Sequence, residues 1–282
     1  LSILSVQTSA CFKKEIQAFT RTKRLLIIIL ILIGWAMVAP LLIRSLGVAM
    51  DVFAPVYDEL GMDVSGMSEL FATNVSTGVI PAVSDLTTTG LIAFLILING
   101  FAGGEQKKRS IMIPKSAGLR SFGYLFPKYI IYPLTAIVLA IIAAFVSWGA
   151  SIIVFEVNDI TAQGVFRGGM LAGVSLMFYI CMHLTLGTAT GKAGMSSVIC
   201  IVASLLLPNL FAVLGAQQVY NPFMLNMMAV SALADDAMHR LMAQEIFATV
   251  LVALILMVML YFVALFVQNA KKIDNSGNAI SL

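Results

Sequence analysis

Charge is what this sequence has least of. Only 11% of its 282 residues are Asp, Glu, Lys or Arg, while 60% are apolar; a soluble domain has about 25% charged and about 45–50% apolar residues. A soluble chain of this length would lack the polar side chains to cover its outside, so a soluble enzyme is excluded first. Cysteine is scarce as well. Cys11, Cys181 and Cys200 make an odd count, and none falls in an expected outer loop, which leaves packing as their role in place of a disulfide framework or a thiolate metal site. Internal repeats and low-complexity stretches are missing. So are a His-Glu-x-x-His zinc helix and a Gly-x-Ser-x-Gly elbow. No catalytic residue and no metal ligand set is therefore expected, and the chain is not expected to be an enzyme by itself.

What is present is a series of long apolar runs. A bilayer core of roughly 30 Å takes about 20 helical residues to cross, and six runs of that order are free of formal charge: Leu25–Ile43, Leu86–Gly103, Tyr129–Val154, Gly168–Thr190, Met195–Leu214 and Phe247–Val267. The expected fold class is all-α, a polytopic membrane protein with six transmembrane helices. The first run shows no small-residue cleavage site, so it is expected to remain as a span. Lys and Arg beside a span are retained on the cytoplasmic side. With the N-terminus inside, the inner segments hold fourteen of the seventeen basic residues, leaving only Arg44, Arg167 and Arg240 outside, whereas eleven of the fourteen acids fall outside. The topology is thus expected to be N-in and C-in. The net charge of +3 then reflects topology, and no nucleic-acid partner is implied.

The spans divide the chain into residues 1–24, a six-span domain 25–267, and a cytoplasmic tail 268–282. Phe12, Ile16 and Phe19 recur at helical spacing between Lys13, Lys14, Gln17 and Arg21, which describes an amphipathic helix lying at the inner membrane surface. The segment from Arg44 to Asp85 is read as short helices resting on the outer face. Residues 104–128 contain six basic residues interleaved with Ile111, Met112, Ile113, Leu119, Phe122 and Leu125. That mixture suits a docking surface, with Pro114 and Pro127 setting turns around a short helix; anchoring to anionic lipid is the plainer alternative. Residues 215–246 are too polar to span and are read as short re-entrant helices in the outer leaflet. Pro208 should break the fifth span, with Asn209 answering the freed backbone.

Ion-coupled carriers place ionisable groups inside their spans, and the six runs hold no Asp, Glu, Lys or Arg. His183, with Tyr179 one helical turn before it, is a possible intramembrane polar site; a neutral histidine bonded within the bundle is the competing reading. Gly187-Thr-Ala-Thr-Gly191-Lys192-Ala193 looks like the tail of a phosphate loop but has Leu186 where glycine is needed and Ala193 where Ser or Thr would hold magnesium. It is expected to be a tight inner turn. Gly169-x-x-x-Gly173 and Ser147-x-x-x-Ser151 are expected to let helices approach closely.

The order of parts resembles the ABC-2 type permease family, the membrane subunits of ATP-binding-cassette exporters. The likeness lies in a basic amphipathic helix entering span one (FKKEIQAFTRTKRLL), and in a loop that opens with Glu105, passes Ile111-Met-Ile-Pro114-Lys-Ser and ends at Lys128. The resemblance implies an exporter-like transmembrane domain in the cytoplasmic (inner) membrane of a bacterium. It implies two cytoplasmic ATPase partners and a second, identical or similar, permease. It also implies that Glu105, Lys107, Lys108, Arg109, Ile111, Ile113, Pro114, Leu119, Arg120 and Lys128 form the ATPase-coupling loop. No cofactor is expected on this chain; ATP and Mg would sit on the ATPase. Spans two and five would line the path, with Asn99 a polar contact and Leu205, Leu206, Leu207, Pro208 and Asn209 an outer gate, although packing alone also accounts for the leucines. The cargo would be hydrophobic or amphipathic: a drug, a lipid-like molecule or a small peptide. The alternative from another class is a membrane-embedded scaffold, sensor or immunity subunit without transport.

Overall fold

The structure is a computed structural model that describes residues 2–59, 74–101, 105, 119–214, 220–233, 239–270, 272–273 and 279–280. In chain order the helices are α1 (Ser2–Arg21), α2 (Arg24–Glu59), α3 (Val75–Asp85), a π-helical turn (Leu86–Gly90) and α4 (Leu91–Asn99). There follow α5 (Ser121–Val154), α6 (Ala162–Thr190), α7 (Ala193–Val213), a 3-10 turn (Pro222–Met224) running into α8 (Leu225–Ser231), and α9 (His239–Ala270). Among the described residues the sole strand ladder pairs Lys272–Ile273 antiparallel with Ala279–Ile280.

Six helical stretches are long and apolar enough to cross a bilayer: Arg24–Ala54, Val75–Asn99, Ser121–Val154, Ala162–Thr190, Ala193–Val213 and Ala243–Ala270. The all-α, six-span expectation stands at that level, and the chain is a multi-pass membrane protein. The boundaries need correction. Four of the six charge-free runs lie within longer helices, and the helices carry Arg44, Asp85, Lys128 and Arg167 within their length. Span two starts at Val75, eleven residues before the apolar run suggests, because Ser, Thr, Gly and Pro81 dilute its hydropathy without stopping the helix. Span one continues past Arg44, so the segment expected to rest on the outer face is helical from both ends, and residues 60–73 lie outside the described ones.

Two expected breaks are absent. Pro127 lies inside α5 together with Pro133, and Pro208 lies inside α7. A proline in a spanning helix frees one carbonyl but survives where neighbours re-satisfy the backbone. Asn209 Nδ2 donates to the Leu205 carbonyl at 2.7 Å beside that site.

Helix α6 is the axis of the bundle. It is the most buried span and packs against α5, α7, α8 and α9. Glycine sets how closely: a Cβ on Gly173 would lie 2.8 Å from Ile137 Cα, and one on Gly169 would lie 3.1 Å from Ile141 Cα. Both are contacts with α5 backbone, as small-x-x-x-small spacing predicts. Helix α6 ends at Gly191, whose φ of 66° is the left-handed conformation glycine adopts at little cost, and its N–H bonds back to Gly187 O at 3.0 Å. The phosphate-loop look-alike is thus the tight turn between α6 and α7. Of the expected re-entrant segment, residues 222–231 form one short apolar stretch against α6, and residues from His239 on belong to α9. Spans one, five and six leave Leu30, Leu41, Leu206, Phe247, Phe262 and Phe266 exposed, as surfaces made for lipid or another protein are.

Candidate functional site

The chemistry concentrates at one end of the bundle, where α1 crosses the start of α5. A turn at Thr22-Lys23, with Lys23 at φ 58°, lets α1 lie across the bundle before α2 rises. Its buried face is not the expected Phe12-Ile16-Phe19 stripe: Phe19 is buried, but Ile16 is exposed, and Glu15 is only 2% exposed. A carboxylate is thereby driven into the protein between two aromatic residues of the same face.

Its counter-charge is Lys128, 1% exposed on α5. The Lys128 ammonium has three protons and three acceptors: Glu105 Oε2 at 2.7 Å, the Phe101 carbonyl at 3.0 Å and Glu15 Oε1 at 3.3 Å. Glu105 also accepts from Lys14 at 3.1 Å and from the Tyr124 hydroxyl at 2.6 Å. Glu15 accepts from the Tyr132 hydroxyl at 2.7 Å. Two lysines and two glutamates cancel, which is the condition for keeping such charges out of water. Aromatic rings wall the cluster: Tyr132 stacks on Phe101 at 5.2 Å and meets Phe19 edge-on at 5.2 Å, while the Arg24 guanidinium lies 4.5 Å from the Phe101 ring. Burial alone would raise the Glu105 carboxyl; the Lys128 charge, the hydrogen bonds from Lys128 and Tyr124, and Lys14 overcome that and hold it down at about 2.

The cluster therefore joins α1, the start of α2, the end of span two and the start of α5. Glu105 and Lys128, the expected ends of the coupling loop, are brought together. Leu119 is partly buried against the core and Arg120 is the exposed N-cap of α5. Lys107, Lys108, Arg109, Ile111, Ile113 and Pro114 lie outside the described residues. Sequence reading missed Glu15, Tyr124 and Tyr132. The spacing of Glu15 from both Phe12 and Phe19, three and four residues along a helix, is the signal that places it on their face.

The remaining expected residues do not form one site. Leu205 and Leu206 are exposed on α7, not packed in the core, and Leu207 and Pro208 are half-buried beside the exposed Asn209. Asn99 ends α4, its Oδ1 buried without a partner among the described residues. Helices α4 and α7 do adjoin. His183 is fully buried, with Nδ1 3.0 Å from Ser196 Oγ. Ser196 Oγ also lies 2.7 Å from the Ala193 carbonyl, and His183 Nε2 is buried and unpartnered among the described residues. No described hydrogen bond links Tyr179 to it; the Tyr179 ring packs on Phe178 and Phe223.

Asp85 emerges instead. It stands within span two, half-buried, and accepts from Trp35 Nε1 of span one at 3.0 Å. A carboxylate near the middle of a spanning helix costs about 2.5–3.5 kcal/mol to insert. One indole N–H offsets part of that and leaves the charge unneutralised. At the other end of the bundle a cavity of about 460 Å³ opens between α6 and α9, lined by Met170, Leu171, Ile246, Phe247 and Val250, with Arg167 its one charged residue.

The six spanning helices define the class, a multi-pass helical membrane protein. No protein-family model matches the chain, and neither a curated protein nor a solved structure matches it.

Proposed function

We propose that this chain is the permease subunit of an ATP-driven exporter of the ABC-2 type. It lies in a bacterial inner membrane with both termini inside, pairs with a second permease, and is driven by two separate ATPase subunits that bind ATP and Mg. The observation that carries the reading is the Lys128–Glu105–Glu15 cluster. The thirteen residues 106–118 connect Glu105 to the start of α5, two parts of the chain that this cluster joins to each other and to α1. A push on that segment is delivered to the ends of spans two and three together, and two packed elements with two discrete arrangements convert it into opening of a path. The cargo is apolar or amphipathic, in keeping with a path along spans two and five that holds few polar side chains besides Asn99.

The test is co-expression with the genomic neighbours, purification on this chain, and assay of copurifying ATPase. Ile111→Ala with Ile113→Ala should abolish copurification while the chain still inserts; Leu119 is spared because it packs into the core. A chain that purifies without any ATPase would sink the exporter reading and leave the scaffold, sensor or immunity role.

A further inference from the structure

We propose that Asp85 is the counter-charge for a positively charged, apolar cargo, an organic ammonium or similar cation; the assignment deepens the exporter reading above and rests on it. Asp85 is ten residues from Val75 and fourteen from Asn99, which puts it about 15 Å and about 21 Å from the two ends of its span at 1.5 Å per residue. Trp35, its donor, is eleven residues into span one from Arg24, or about 16 Å along it. Both partners therefore sit at membrane depth. Among the described residues no Lys, Arg or His reaches ion-pair distance of the carboxylate.

Apart from the Trp35 indole N–H, no described side chain donates to the carboxylate. The helix turns π directly after Asp85, and π turns mark sites where backbone is re-registered for a purpose. Within that turn the Thr87 hydroxyl gives its proton to Ser84 O at 2.9 Å and the Thr88 hydroxyl to Asp85 O at 3.3 Å, so both hydroxyl protons are spent on backbone carbonyls and neither reaches the carboxylate. One negative charge met by a single neutral donor suits an ammonium and repels an anion. A metal ion is poorly served, for no group of three His, Cys, Asp or Glu side chains gathers among the described residues. The body of the ligand is met by Ile31, Trp35 and Val38, exposed apolar residues on one face of span one. An asparagine would accept the Trp35 N–H equally well; what only the carboxylate supplies is charge.

The full chain, purified into lipid nanodiscs, is titrated with tetraphenylphosphonium and with its anionic isostere tetraphenylborate, against empty nanodiscs. The wild type should prefer the cation, Asp85→Asn should weaken cation binding about tenfold or more, and Asp85→Glu should retain most of it. Each variant is scored only where its gel-filtration profile and thermal midpoint match the wild type; Asp85→Ser, which also removes the charge, serves as a second variant and should lose cation binding as Asp85→Asn does. Equal cation binding by Asp85→Asn, equal binding of the anion, or equal loss in the Asn and Glu variants overturns the assignment. Because the assay needs no ATPase, its failure is distinct from failure of the copurification test, which reads the exporter role alone.

Discussion

Lys128 and Glu105 are 23 residues apart in the chain and 2.7 Å apart in space, and the lysine is almost wholly buried. An ammonium so placed exists only because two carboxylates and a carbonyl surround it. Lys128→Met should destabilise the protein by about 3–5 kcal/mol, since it leaves Glu15 and Glu105 with only the exposed Lys14 to balance two carboxylates. Adding Glu15→Gln to that variant should recover part of the loss, as removing a whole ion pair costs less than removing half. Thermal unfolding in detergent reads both. A Lys128→Met variant as stable as the wild type would mean that the cluster holds nothing together.

The same cluster sets an acid limit. Glu105 titrates at about 2, below the ordinary 4.5, so its contribution is complete above about pH 4.5 and is lost as pH falls toward 2. The gap in unfolding midpoint between wild type and Glu105→Gln should be constant from pH 7 to pH 5 and close below that. Other acids titrate in both proteins and cancel in the comparison. A gap that widens on acidification contradicts the ion pairing.

Much of this was legible in the sequence, and the misses have physical causes. Apolar runs located all six spans because hydrocarbon tolerates little else for 20 residues. They misplaced the start of span two because residues 75–90 are helical through Ser, Thr and Gly, which a bilayer accepts when neighbours pack on them. That error put Asp85 in an outer loop and made the spans look free of acid. Glu105 and Lys128 were singled out by their place in a motif, but their contact was invisible, since it depends on α1 supplying Glu15 and on span two ending at the level where α5 begins. Leu205 and Leu206 gave no sign of whether they faced inward or outward, because α7 is apolar all round.

Gly173 and Gly149 offer a matched pair. A Cβ at Gly173 meets Ile137 Cα at 2.8 Å, whereas at Gly149 nothing lies within 4 Å. Gly173→Ala should cost about 1–3 kcal/mol by forcing α5 and α6 apart. Gly149→Ala should be neutral or gain up to about 1 kcal/mol from helix propensity. Equal behaviour of the two would show that α5 and α6 do not touch through the glycine stripe.

Thr185 ties three spans. Its hydroxyl lies 2.6 Å from the Tyr129 hydroxyl and bonds to the carbonyls of Cys181, at 2.8 Å, and Leu260, at 3.2 Å. Interhelical hydrogen bonds in membranes are worth about 0.6 kcal/mol on average. Thr185→Val, close in shape, should therefore destabilise by about 0.5–1.5 kcal/mol, well short of the Lys128 variant. A larger loss would place the joint of the bundle at Thr185 and not at the charge cluster.

Cys11 reports the topology without engineering. It is half-buried on α1, while Cys181 and Cys200 are buried inside the bundle. A membrane-impermeant maleimide should thus modify one cysteine at most in the folded protein. Burial raises the Cys11 thiol above its usual value, with Lys14 opposing and Glu15 reinforcing the shift, so thiolate is scarce at neutral pH and modification should be slower than for a free thiol, speeding up as pH rises. With the N-terminus inside, intact cells should protect Cys11 and inverted membrane vesicles should expose it. Labelling of intact cells would turn the whole chain over, move the Lys128 cluster to the outer face, and remove the surface on which a cytoplasmic ATPase would act.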